Sequence, residues 1–185
     1  MKKGWMFILL LSFISVSCIN NVGQTEVKST DWKETLKDQL SYYGHRNWIL
    51  VVDKAFPSQN ANGIITVNTD EGLLNVLQYT LGQIDSATHV KPVIFTDKEL
   101  NYITGDQVPE IENYKKSLAN LIGKNEPQVL LHDSVFVKID KASKLFSVMI
   151  LKTNEVIPYS SVFIQLDCKY WTPEQEKQLR ENMQK

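Results

Sequence analysis

The chain has 185 residues, 20 lysines and arginines against 21 aspartates and glutamates, a net charge of −1 and 43% hydrophobic residues. That near-neutral balance, with no basic stripe to meet phosphates, excludes nucleic acid as a main partner. Its two cysteines, Cys18 and Cys168, argue against a disulfide framework, and no Cys/His spacing resembles a zinc site.

Residues 1–17 read as a signal peptide. Lys2 and Lys3 give a basic start, Trp5 to Ile14 an apolar run too short to span a bilayer, and Ser15-Val16-Ser17 the small-x-small pattern of a cleavage site. Cys18 follows at once, so the stretch resembles a bacterial lipoprotein signal in which that cysteine is acylated. Ser15 stands where such signals usually have leucine, and plain secretion predicts the same mature amino terminus. The expectation is an exported protein, lipid-anchored through Cys18 to a bacterial membrane and facing periplasm or cell exterior. Residues 18–30 are polar and patternless, as suits a flexible tether, and residues 31–185 are expected to form one domain.

Trp32, Leu36, Leu40 and Tyr43 recur at helical spacing, with Thr30 or Asp31 to cap the start and Gly44 to close the helix. Ile49 to Val52 is a short β-branched-rich run, which reads as a strand covered on both faces, and it delivers Asp53 at its far end. Ile64 to Val67 reads as a second strand. Leu73, Leu74, Leu77, Leu81 and Ile84 make a second amphipathic helix, and Val93 to Thr96 a third strand ending at Asp97. Ile111, Tyr114, Leu118, Leu121 and Ile122 form a helix stopped by Gly123, and Val129 to Leu131 a short strand. Ser134 to Ser143 is ambiguous by periodicity. Phe146 to Leu151 and Val162 to Leu166 are the last core strands. Thr172-Pro173-Glu174-Gln175 reads as a capping box opening a polar helix. Strands alternating with helices predict an α/β fold, a three-layer α/β/α sandwich. His89 lies on a helix-to-strand loop as neutral filler, and Asp97, Lys98 and Glu99 sit past a strand end, as a polar rim or, the plainer expectation, a solvated loop.

The order Gly44-His45, apolar strand, Asp53, three residues, Pro57 resembles the amino-terminal signature of the ribose pyranase / fucose mutarotase (RbsD/FucU) family. Gly63 to Val67 with Asp70 to Leu74 is similar to its second strand and helix start, and Lys141 to Thr153 to its lysine-rich helix end and following strand. Pro158-Tyr159-Ser160-Ser161 and the apolar run after it resemble its closing strand. The likeness spans roughly Leu40 to Trp171, and it makes Ser134 to Ser143 helical.

The resemblance implies an RbsD-like fold and metal-free, non-redox chemistry with no cofactor, interconverting anomers or ring forms of a free monosaccharide. It also implies ring-like oligomers with sites near subunit contacts. Opening a hemiacetal needs one proton removed from the anomeric hydroxyl and one delivered to the ring oxygen, which suits groups titrating near neutral pH. His45 matches the family's Gly-His histidine as acid/base, against the plainer role of touching the last carbonyls of a helix. Asp53 would accept from sugar hydroxyls or orient an imidazole, against a turn aspartate. Tyr159 would donate to the ring oxygen or stack on the sugar, against an aromatic filling a loop-to-core position. Ser161 stands where the family usually has asparagine, and Lys54 where better-known members carry a small residue. His132 is compared with a second histidine of the ribose branch, although counting back from the aligned strand places Val135 or Phe136 there. Mutarotation by His45, Asp53 and Tyr159 therefore competes with sugar binding without turnover, and with a fold-deep likeness alone.

Overall fold

The computed structural model describes residues 31–123 and 125–184. The expected signal peptide, tether and Cys18 lie outside the described residues. Five helices and six strands follow in the order α1 Trp32–Tyr42, β1 Trp48–Val52, β2 Ile64–Asn68, α2 Leu73–Ser86, β3 Val90–Asp97, α3 Ile111–Ile122, β4 Gln128–Leu130, α4 His132–Ser143, β5 Val148–Lys152, β6 Val162–Cys168 and α5 Pro173–Asn182. A 3₁₀ turn, Lys98–Tyr102, follows β3 where a solvated loop was expected.

The strands form one sheet in the order β2-β5-β1-β6-β3-β4. β5 runs parallel to both β1 and β2, and β4 parallel to β3, while β6 lies antiparallel between β1 and β3. Alternation along the strands divides the core. Ile49 and Val51 of β1 pack with Trp32, Leu36 and Leu40 of α1, Leu73 and Leu77 of α2, and Ile111 and Leu118 of α3. Trp48, Leu50 and Val52, one residue out of phase, pack on the other face with Val135 and Ile139 of α4 and with Phe163 of β6. Every residue of β1 is buried, as a strand covered on both faces requires. The α/β/α layering matches the sequence expectation.

Local signals account for most helix ends. Asp31 caps α1 by accepting from the Lys33 amide at 2.8 Å, and Gly123 ends α3 at φ 57°. Thr172 and Gln175 form the expected capping box of α5, whose residues are exposed enough that none is buried. Gly44 does not adopt the left-handed conformation. The chain reverses instead at Arg46, φ 73°, while Asn47 Oδ1 accepts from the Gly44 amide at 2.9 Å. His89 is not filler: its Nε2 lies 3.0 Å from the Tyr43 carbonyl at the end of α1. Among the described residues no helix is long and apolar enough to cross a membrane.

Candidate functional site

Because β6 is antiparallel to both β1 and β3, the residues just before it share an edge with those just after them. Asp53, Asp97, the start of α4 after β4, and Tyr159 to Ser161 all reach this carboxyl edge. Ligands of open α/β sheets gather at such an edge, since strand ends deliver side chains there with no further sheet to cover them.

Asp53 is held on both oxygens. Its Oδ1 accepts from the Ala55 amide at 2.9 Å, its Oδ2 from the Ser161 hydroxyl at 2.7 Å, and its own amide donates to Ser161 Oγ at 3.1 Å. The Asx turn that composition alone suggested is present, and the buried hydroxyl of Ser161 is spent on locking that turn. Tyr159 sits at φ 58°, a left-handed conformation that a bulky residue adopts only where its surroundings impose it. The next residue is anchored to α3, where the Tyr114 hydroxyl donates to the Ser160 carbonyl at 2.9 Å. Burial drives the Tyr114 phenol far above its ordinary value, so it stays a neutral donor.

His132 opens α4 and is gripped at two points. Its backbone N–H donates to both carboxylate oxygens of Glu99, at 3.2 and 3.1 Å, and its Nδ1 lies 2.8 Å from Asp97 Oδ2. Its ring meets Tyr159 edge-on, centroids 5.2 Å apart and planes at 90°, and packs against Phe136 one turn along α4 at 4.8 Å. Phe136 stacks on Phe56, which contacts Phe163 in the core. A file of aromatic rings thus runs from the sheet to the edge.

Asp97 is fully buried. Burial pushes its carboxyl up to about 6 from an ordinary 3.8; the hydrogen bond and charge of His132 oppose the rise, and the negative charges of Glu99 and Asp53 add to it. The folded protein therefore binds this proton more tightly than the unfolded chain. Stability linked to Asp97 falls as pH rises from 3.8 to about 6, and above that window the ionised carboxylate is a standing cost.

Of the residues expected in the site, Asp53, Tyr159, Ser161 and His132 share this edge. Lys54 lies on its exposed rim, its amide bonded to the Glu155 carbonyl at 2.8 Å and its ammonium 3.5 Å from Asn154 Oδ1. His45 does not share this edge within one chain. It lies at the opposite edge, exposed, lining a cavity of about 470 Å³ with Arg46, Gln165, Asp167 and Trp171. The five residues of β1 between His45 and Asp53 span roughly 17 Å at ordinary strand rise. The two can meet only across a contact between copies. Asp97 is a correction: it ends β3 in the core, where a solvated loop was expected. Sequence reasoning named Glu99, Phe136 and Tyr114 only as a loop residue, an alternative register to His132 and a helix-face residue, without the contacts they make here. The signal for Asp97 was the rule that selected Asp53, a carboxylate closing a buried strand; for Phe136 it was four-residue spacing from His132.

The model of the RbsD / FucU transport protein family matches residues 29–168. A D-ribose pyranase of Thermotoga petrophila is 28% identical over 137 residues, which cover 70% of this chain and 89% of that protein. Among solved structures, Bacillus subtilis RbsD complexed with D-ribose aligns with a TM-score of 0.52 at 20% identity, over 72% of this chain and 91% of that one. FucU from Bifidobacterium longum aligns with a TM-score of 0.51 at 17% identity, over 72% and 94%. At such identities the likeness to the solved structures is one of fold.

Proposed function

The chain belongs to the RbsD / FucU transport protein family, and from that premise we propose that it binds a free monosaccharide at the carboxyl edge and interconverts its anomers or its pyranose and furanose forms. The observation that carries this is the His132–Asp97 pair set beside Tyr159. His132 takes the proton of the anomeric hydroxyl as the bond from the anomeric carbon to the ring oxygen breaks. The carbonyl forms, and the ring oxygen receives a proton from the Tyr159 phenol or from water. Reclosure on the other face, or through another hydroxyl, reverses each transfer and returns every proton. Asp53 accepts from sugar hydroxyls with the lone pairs that Ser161 and Ala55 leave. His45 joins only through assembly: a homo-oligomer setting the amino edge of one copy against the carboxyl edge of the next brings a second histidine to each site.

A sugar-binding protein without turnover is the second reading. The Ser161 hydroxyl favours it, because its one proton goes to Asp53 and leaves no donor for a ligand. Saturation-transfer NMR against a panel of free sugars separates the two. Turnover requires anomer exchange faster than the uncatalysed rate for at least one sugar. Contact without acceleration leaves the binding protein, and no contact with any sugar removes both.

We further propose that the domain is exported and held at a membrane by lipid on Cys18, on the strength of the basic, apolar, small-x-small-Cys order of residues 2–18. The multiple acyl chains of a lipoprotein give stable anchoring where one chain binds reversibly. The full chain is expected to partition into detergent with the membrane fraction, and Cys18→Ala to move it to the soluble fraction. Soluble wild type with an unmodified Cys18 by mass spectrometry defeats the anchor.

A further inference from the structure

We propose that Asp97 is the positioning residue of the site, fixing His132 in the tautomer that carries its proton on Nδ1 and so leaving Nε2 as the basic, outward-facing nitrogen. Three features of the fold support this. Asp97 Oδ2 lies 2.8 Å from Nδ1, within the range of a charge-assisted hydrogen bond. The two ring nitrogens of imidazole diverge, so Nδ1 turned to a fully buried carboxylate leaves Nε2 directed away from it, on a side chain that is 33% exposed. Glu99 holds the backbone of the same residue two positions along from Asp97, at an α4 start that no side chain of its own cap satisfies. Ring and backbone are therefore clamped by two carboxylates of one short segment.

The cost of this arrangement supports a role beyond packing. Asp97 Oδ1 is buried with no hydrogen-bond partner among the described residues, and a buried unsatisfied oxygen opposes folding. A neutral residue in its place would remove the share of that penalty that comes from burying a charge. What a neutral residue would not supply is a charged acceptor that selects one tautomer and stabilises the imidazolium once Nε2 has taken a proton. His132, Glu99 and Asp53 are the charged or titratable groups that Asp97 faces.

The structural half of this inference stands by itself, and its effect on rate rests on the mutarotase reading. Nitrogen-15 correlation spectra of the histidine ring in the full chain near pH 7.5 read the tautomer directly. In wild type, Nδ1 is expected to be the protonated nitrogen of His132. In Asp97→Asn the population shifts toward the Nε2–H form, because the amide can donate to Nδ1. With a sugar that exchanges, the same variant is expected to lose kcat by roughly two powers of ten or more, with KM changed only a few-fold. Wild type in the Nε2–H form overturns the assignment, as does an Asp97→Asn protein with unchanged tautomer and rate. Wild type that shows the Nδ1–H form but accelerates no sugar overturns the mutarotase reading instead, and the wild-type spectrum needs no variant to fold.

Discussion

His132→Ala is expected to slow anomer exchange by roughly two to four powers of ten, the ordinary contribution of a positioned acid or base. Binding should weaken far less, because the imidazole matters most as the proton moves. The substitution takes from buried Asp97 its His132 partner, a cost to stability, but it leaves the apolar packing in place. The His132 ring caps the outer end of the aromatic file, and Phe136 and Phe56 keep their stacking when it is gone. Exchange rate and sugar affinity by NMR are the measurements, and an undiminished rate assigns the chemistry to another group. His45→Ala is the paired experiment. A comparable loss there reports edge-to-edge assembly, and no loss leaves His132 to act alone.

Phe163→Ala is expected to cost about 3–5 kcal/mol of unfolding free energy, the range for removing a fully buried aromatic. Phe163 has no exposed surface and lies on β6 directly between Leu50 of β1 and Phe95 of β3. Its ring also backs Phe56, 6.3 Å away. A cavity there removes contacts to two strands and to the inner end of the aromatic file, and neighbours pinned by the sheet collapse little into it. Urea unfolding should show the midpoint falling with the slope unchanged. A loss below about 1 kcal/mol would mean that Phe163 is far less tightly enclosed than the fold indicates.

Most of the fold was legible because it is written in local periodicity. The apolar run at Ile49, the helical spacing from Trp32 and the capping box at Thr172 each depend on neighbours in sequence, and each element formed within a residue or two of its expected ends. The site was less legible, since it depends on strand direction. That β6 runs antiparallel appears in no local pattern, yet it brings Tyr159 and Ser161 beside Asp53 and Asp97. His45 came from the family's Gly-His signature, and no local pattern says that it and Asp53 stand at opposite ends of the sheet within one copy. His132 was undervalued because counting along the chain is blind to the variable loops on which a site residue's position depends. Asp97 looked solvated because nothing in the composition of Asp97-Lys98-Glu99 reveals that β3 keeps its last residue in the core.

The place of β6 in the sheet also sets the order in which the protein can be made. Strands β2, β5 and β1 form one ribbon and β3 with β4 another, and β6 alone joins them. Of the six described strands it is the last to leave the ribosome. Until then β1 and β3 each present an open edge of unpaired amides and carbonyls, flanked by some of the most apolar residues of the chain. The long loop is closed when β5 pairs with β1, and β6 then reaches the other edge of β1 through the short segment 153–161. The open edges therefore stay exposed to other chains until that slow long-range pairing has been made. The residues before β6 complete the candidate site in the same event. Competence to bind therefore arrives together with the closing of the sheet, and a nascent chain cut short of β6 holds two sticky half-sheets and no site.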